Sequence, residues 1–265
     1  NSWSLSLMES SKGVLWIGTM NGLDRFNQAD ESFTHFRHDD KQAGSISHNR
    51  IHALFEDSKG RIWVGTSGGL NRMEELPNGE MRFHFYPTQA DGSAESVGGI
   101  LEDKKGNIWI GTMGSGLVIL DPITGKHRSI IEDPLLINGS ILSISGKGNT
   151  IWIASLEGAV SCKGSDTDKS INQTFKCSNY ADDKNLGSKY VYDILTDSKN
   201  RTWFATDGKG VILLENNTFT HFNKPGQINN EVVYKIVEDN QGNLWFNTFN
   251  NGIINIIPAI NLLIT

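Results

Sequence analysis

Cysteine, proline, long apolar runs and excess positive charge are all scarce in this 265-residue chain, and each shortage narrows what it can be. Two cysteines, Cys162 and Cys177, are too few for a fold held by a disulfide framework. They flank one polar loop, 163–176, between two expected neighbouring strands. A cross-strand bridge and a pair of free thiols both fit that spacing, and a bridge would indicate an oxidising compartment. Proline occurs 6 times against 28 glycines, the balance of many tight turns rather than of disordered linkers. No apolar stretch approaches the roughly 20 residues that span a bilayer, so no membrane insertion by this segment is expected. Lys and Arg number 24 against 30 Asp and Glu, without long runs of either sign, which argues against a nucleic-acid partner. The chain opens on Asn1 with no charged-then-apolar leader, as expected of a mature or excised piece.

What the chain does have is repetition. Trp16-Ile17-Gly18-Thr19 returns as Trp63-Val64-Gly65-Thr66, Trp109-Ile110-Gly111-Thr112, Trp152-Ile153-Ala154-Ser155, Trp203-Phe204-Ala205-Thr206 and Trp245-Phe246-Asn247-Thr248. The tryptophans stand 47, 46, 43, 51 and 42 residues apart, in the range of propeller blades and solenoid units. Such a unit cannot bury its apolar surface alone and must stack on its neighbours.

The second repeat shows the grammar. Ile51, Ala53 and Phe55 alternate with His52, Leu54 and Glu56, a short strand. Asp57-Ser58-Lys59-Gly60 then reads as a type I turn, recurring at Asp103–Gly106, Asp197–Asn200 and Asp239–Gly242. In the following strand Ile62 and Val64 share one face and Trp63 and Gly65 the other, so the indole fills space over a neighbouring blade that glycine leaves open. A Gly-Leu step at Gly69 opens a third strand, and an aromatic pair, Phe83 and Tyr86, marks a fourth. Four short strands per unit of about 45 residues are the dimensions of a blade. The expected fold is therefore an all-β propeller of four-stranded antiparallel blades, with six repeats at about 1–37, 49–87, 96–131, 139–180, 189–223 and 231–265, forming one domain. The fourth repeat is the most worn: Gly146-Lys147-Gly148-Asn149 replaces the Asp turn and the polar loop 164–173 follows. The sixth lacks the aromatic fourth strand after Gly252.

Catalytic and metal patterns do not assemble. His48 and His52 are about 13 Å apart on an extended strand, too far to share one zinc. His35, His84 and His221 fall on expected outer strands and read as structural or solvated. There is no Gly-x-Ser-x-Gly elbow for a hydrolytic triad and no glycine loop leading into a helix for phosphate. One carboxylate per turn is far short of a calcium shell. The repeated tryptophans read as packing rather than as sugar platforms, whereas Tyr190 and Tyr192 lie outside the repeat pattern. No catalytic residue, metal or cofactor is expected.

The string from Asn49 to Thr66, followed by Gly68-Gly69-Leu70-Asn71-Arg72, closely resembles the two-component regulator propeller repeat, as does Ile100 to Thr112. The resemblance covers the chain and implies the extracytoplasmic, periplasmic sensor region of a membrane-anchored signalling protein. Attached output domains, a histidine kinase or a diguanylate cyclase, are implied partners, with dimer contacts on the propeller flanks. Such sensors commonly carry about seven blades, so the six repeats here are either a ring with a degenerate last strand or a piece of a larger array.

In such a propeller the first strand of each blade would line a central channel. The loops entering it, and those after the second strand, would share one face. The ligand-binding residues expected there are Asn21, Asn49, Arg50, Lys189, Tyr190, Asp207, Lys209, Asn230, Glu231 and Asn250, beside Met20 and Asn251. They vary while the framework repeats, as loops grafted on a scaffold do. The set is rich in amides and charges and suits a small polar ligand such as a glycan. Two alternatives stand beside this sensor: a scaffold propeller binding another protein, and a streptogramin-lyase-like enzyme, suggested by Trp203-Phe204 and Trp245-Phe246.

Overall fold

The strand-turn-strand grammar of each repeat becomes one antiparallel meander in the structure, a computed structural model. It describes residues 4–89, 91–130, 133, 134, 136, 139–164, 174–222, 228 and 232–256. Two compact units divide the chain at residues 130 and 131. The first holds three sheets: β1 (Ser4–Glu9), β2 (Leu15–Thr19), β3 (Gly22–Asn27) and β4 (Ser32–Phe36); β5 (Ile51–Glu56), β6 (Ile62–Thr66), β7 (Gly69–Glu75) and β8 (Met81–Tyr86); β9 (Val97–Glu102), β10 (Ile108–Thr112), β11 (Leu117–Leu120) and β12 (His127–Ser129). The second holds β13 (Ile141–Lys147), β14 (Thr150–Ser155), β15 (Gly158–Lys163) and β16 (Lys176–Asn179); β17 (Val191–Thr196), β18 (Thr202–Thr206), β19 (Val211–Glu215) and β20 (Thr218–Phe222); and the described three strands of the last sheet, β21 (Val233–Glu238), β22 (Leu244–Thr248) and β23 (Gly252–Ile256). The fold is that of a β-propeller with six blades, and the described residues hold essentially no helix. The expected degenerate strand after Ile256 and the loop 165–173 lie outside the described residues.

Within each unit the first strands lie side by side, β1 against β5 against β9, and β13 against β17 against β21. The cores sit in the seams between these blades. Trp63 and Leu70 of the second blade pack with Val97, Ile100, Ile108 and Ile110 of the third. Trp16 meets Ile51, Ile62 and Val64; Trp152 meets Val191, Ile194 and Phe204; Trp203 meets Val233, Ile236 and Phe246. The glycine beside the indole is needed for this approach. A Cβ built on Gly65 would stand 2.7 Å from Val97 Cγ1, and one on Gly18 would stand 2.7 Å from Ile51 Cγ2.

The turn aspartates hold the indoles. Asp57 accepts hydrogen bonds from the backbone N–H of Lys59 and Arg61, from Arg61 Nε, and from Trp63 Nε1 at 2.7 Å. Asp103, Asp197 and Asp239 likewise accept Trp109, Trp203 and Trp245 Nε1 at 3.0, 2.9 and 2.9 Å. Neighbouring blades are stapled one residue later. Glu102 accepts both the N–H and the hydroxyl of Ser58, Glu56 does the same for Ser11, and Glu238 for Ser198. In the worn fourth blade Lys147 Nζ instead reaches the Ser198 carbonyl at 2.6 Å.

Cys162 and Cys177 face each other across β15 and β16 and are joined as a disulfide, with Cα atoms 4.1 Å apart. This decides between the two states left open by the spacing.

Candidate functional site

Two local rules bring the expected loops together at one end of each blade. At the end of every second strand a Thr or Ser hydroxyl donates to the carbonyl of the glycine that opens the third, as in Thr19 to Gly22, Thr206 to Gly210 and Thr248 to Gly252. The loop that follows then donates a backbone N–H to the residue entering the first strand: Ser67 to Arg50, Met113 to Ser96, Asp207 to Tyr190 and Phe249 to Val232. A third rule, not anticipated from the sequence, is a β-bulge after the first residue of every first strand, which leaves Leu5, His52, Gly98, Leu142, Tyr192 and Tyr234 outside the ladder pairing. Bulges re-aim a side chain, so these are the positions where a framework can vary its surface.

In the first unit, Asn21 is an exposed turn residue whose N–H bonds to Thr19 Oγ1. Asn49 has a structural task, its Oδ1 accepting the His38 N–H at 2.8 Å and so fixing the loop between the first two blades. Arg50 is exposed at its side chain, with its N–H on His48 Nδ1 and its carbonyl on Ser67. In the second unit, Lys189, Lys209 and Asn250 are exposed and Tyr190 is joined to Asp207 by the backbone bond above. Asn230 and Glu231 lie outside the described residues.

The second unit gathers something the loop list missed. The bulge residues Tyr192 and Tyr234 pack with ring centroids 5.1 Å apart, and Phe249 meets Tyr234 edge-on at 6.2 Å. Tyr190, Tyr234 and Phe249 are 48%, 42% and 66% exposed, a solvent-facing aromatic cluster on the fifth and sixth blades. Beneath it, buried Asp193 accepts the Ile236 N–H at 2.8 Å and Lys235 Nζ at 3.0 Å. Partial burial, then the charge of Asp207, then Tyr234 and Tyr190 raise the Tyr192 phenol, which therefore stays a neutral donor. Faces of aromatic rings beside phenol hydroxyls and a carboxylate can stack on a ring-shaped ligand and hydrogen-bond its substituents. The sequence signal was present: tyrosine at two bulge positions where the other blades carry Leu5, His52, Gly98 and Leu142.

No comparable catalytic set is seen among the described residues. His52 Nε2 lies 2.8 Å from Ser67 Oγ, and no carboxylate among the described residues is seen to orient the ring. Burial, then Arg50 and His48, lower the His52 pKa and keep it neutral. No group of three or more His, Cys, Asp or Glu among the described residues is placed to hold a metal.

The two-component regulator propeller family matches residues 45–68, 91–114, 185–208 and 226–250. Those four stretches are similar to the two-component regulator propeller repeat. The matched stretches span the repeated tryptophan strand and its loop ends in the second, third, fifth and sixth blades. Among solved structures, the extracellular domain of BT3049 from B. thetaiotaomicron, assigned to a hybrid two-component system, is 21% identical with a TM-score of 0.75. The likeness covers 97% of this chain and 34% of that one, so this chain spans about a third of its neighbour's length. The extracellular domain of BT4673, assigned to a hybrid two-component system of the same organism, is 21% identical at a TM-score of 0.58, over 98% of this chain and 42% of that one. A catalytically inactive virginiamycin B lyase from Staphylococcus aureus, solved with quinupristin, is 18% identical at a TM-score of 0.67, over 98% and 89% of the two chains. At these identities the likenesses concern the fold. No curated protein sequence matches this chain.

Proposed function

We propose that this chain is the ligand-sensing propeller of a periplasmic signalling receptor, non-catalytic in itself. It binds a small polar ligand of the oligosaccharide kind and biases an attached kinase or cyclase. The observation that carries the reading is the cluster of exposed Tyr190, Tyr234 and Phe249 about part-buried Tyr192, with Asp207 near, set on bulge and loop positions of an otherwise repeating framework. The regulator repeats, the propeller likeness to extracellular domains of two-component systems, and the Cys162–Cys177 disulfide support the location and the role. A ligand acts by differential affinity for two arrangements of the receptor, dimer contacts included.

A thermal-shift screen against oligosaccharides, amino acids and divalent metals, with chelator controls, tests this. A ligand at a hundred times its dissociation constant adds about 2.7 kcal/mol, a melting shift of several degrees. An oligosaccharide response supports the sensor. Silence throughout the screen favours the scaffold reading.

The lyase fold likeness favours a second reading, an enzyme acting on a streptogramin-like cyclic peptide. It predicts loss of such a substrate on incubation with the chain, and a response to metal in the same screen.

A further inference from the structure

The first blade breaks the rule that a turn aspartate holds the indole. Ser10 stands where Asp57, Asp103, Asp197 and Asp239 stand in their blades, and Val14 stands where Arg61 and Arg201 do. The turn itself is intact, with Gly13 N–H on the Ser10 carbonyl and Val14 N–H on Ser10 Oγ. Trp16 is nevertheless packed as Trp63, Trp109 and Trp203 are, 3% exposed in the seam with the second blade. Its Nε1–H is buried and has no hydrogen-bond partner, and neither has the buried Nε–H of Arg25. These two residues are directly paired across β2 and β3 and so share one face of the sheet. A cavity of about 120 Å³ lies beside this pair, lined by Ser10, Lys12, Trp16, Arg25, Glu56 and Glu75, and a ligand that reaches both donors enters between the side chains that close over them.

We propose that this cavity binds a small monocarboxylate, or the carboxylate of a slightly larger acid, between Trp16 Nε1 and Arg25 Nε. The ligand supplies the indole with the acceptor that an aspartate Oδ2 supplies in the second, third, fifth and sixth blades. Two orphaned donors on one sheet face match the two acceptor atoms of a carboxylate, and a guanidinium bond to a carboxylate is among the stronger charge-assisted pairs. The charges around the cavity select for a monoanion. Lys12 and Arg25 are offset by Glu56 and Glu75, with Glu56 already accepting two bonds from Ser11, so a second negative charge on the ligand meets repulsion. The site lies in the first unit and is independent of the tyrosine cluster.

The test follows the indole N–H resonances of the labelled chain at neutral pH while sodium acetate is titrated, with sodium chloride and sodium sulfate at matched ionic strength. The expected result is one indole resonance, absent in Trp16→Phe, that moves saturably with acetate in the roughly millimolar range proper to so small a ligand. It stays still with chloride and sulfate. Arg25→Gln should weaken the acetate response at least tenfold. Ser10→Asp, which installs the aspartate of the other blades, should abolish it with the resonance already displaced. An indole that does not respond saturably to acetate overturns the proposal. So does an equal response to chloride or sulfate, or one that survives in Ser10→Asp.

Discussion

A single carboxylate does most of the work in a blade, and its environment says at what pH it stops. Burial alone would push Asp57 and Asp197 up. The indole of Trp63 or Trp203, and the backbone and side chain of Arg61 or Arg201, outweigh it and hold both below the usual range. Asp239, held by Trp245 and the Asn243 side chain, is lowered to about 2. A depressed folded-state pKa gives stability that is present above the unfolded value, near 4, and lost as pH falls through the folded one. Thermal melts should therefore be flat from pH 7 to about 5 and fall steeply between about 4 and 2. Asp57→Ala should cost about 3 kcal/mol by denaturant unfolding, because it leaves Arg61 Nε and the buried Trp63 N–H without their acceptor. The converse holds at Ser10. Ser10→Asp should stabilise the chain by about 1–2 kcal/mol, giving Trp16 the acceptor it lacks, and an unchanged or lowered denaturation midpoint would refute that. Residue-scale identity was legible from the start for the Asp turns and the packed tryptophans. The consequence of Ser10 was not, because an orphaned indole shows only once the seam is built.

At the scale of the element, the strands and turns could be read from spacing, while the devices that join them could not. Gly65 shows why a short motif fixes a seam. With a Cβ at 2.7 Å from Val97 Cγ1 and 3.1 Å from the Val97 carbonyl oxygen, Gly65→Ala should cost about 1–3 kcal/mol by forcing the second and third blades apart. Equilibrium unfolding of that variant checks it. The Ser–Glu staples join residues 45, 44 and 40 apart in sequence, and such a pairing has no local signature. Nor have the bulges, which follow the first residue of each first strand and show only in the pairing register. The two cysteines were open in the sequence because only the register of β15 and β16 decides whether they meet. Their bridge closes a short loop, so Cys162→Ser with Cys177→Ser, or reduction, should lower stability by about 3 kcal/mol, visible as a drop in melting temperature.

At the scale of the whole molecule, repetition announced the propeller, and departures from repetition point to its task. Of the loop residues expected to bind, Asn49 turned out to strap a loop, whereas Tyr190 and Asp207 stand together. Tyr234 and Phe249 were passed over because each looks ordinary within its own blade, and only the packing of the fifth blade on the sixth brings them to Tyr192. The central claim is that this aromatic cluster is the ligand site of a sensor. Isothermal titration of the best oligosaccharide from the stability screen, into the chain and into a Tyr190→Ala, Tyr234→Ala variant, tests it most directly. Both side chains are about half exposed and outside the blade cores, so the variant should melt within a few degrees of the parent. The account predicts at least tenfold weaker binding in the variant, as expected when two stacking faces are lost. Equal affinity in the two proteins would place the ligand elsewhere and contradict it.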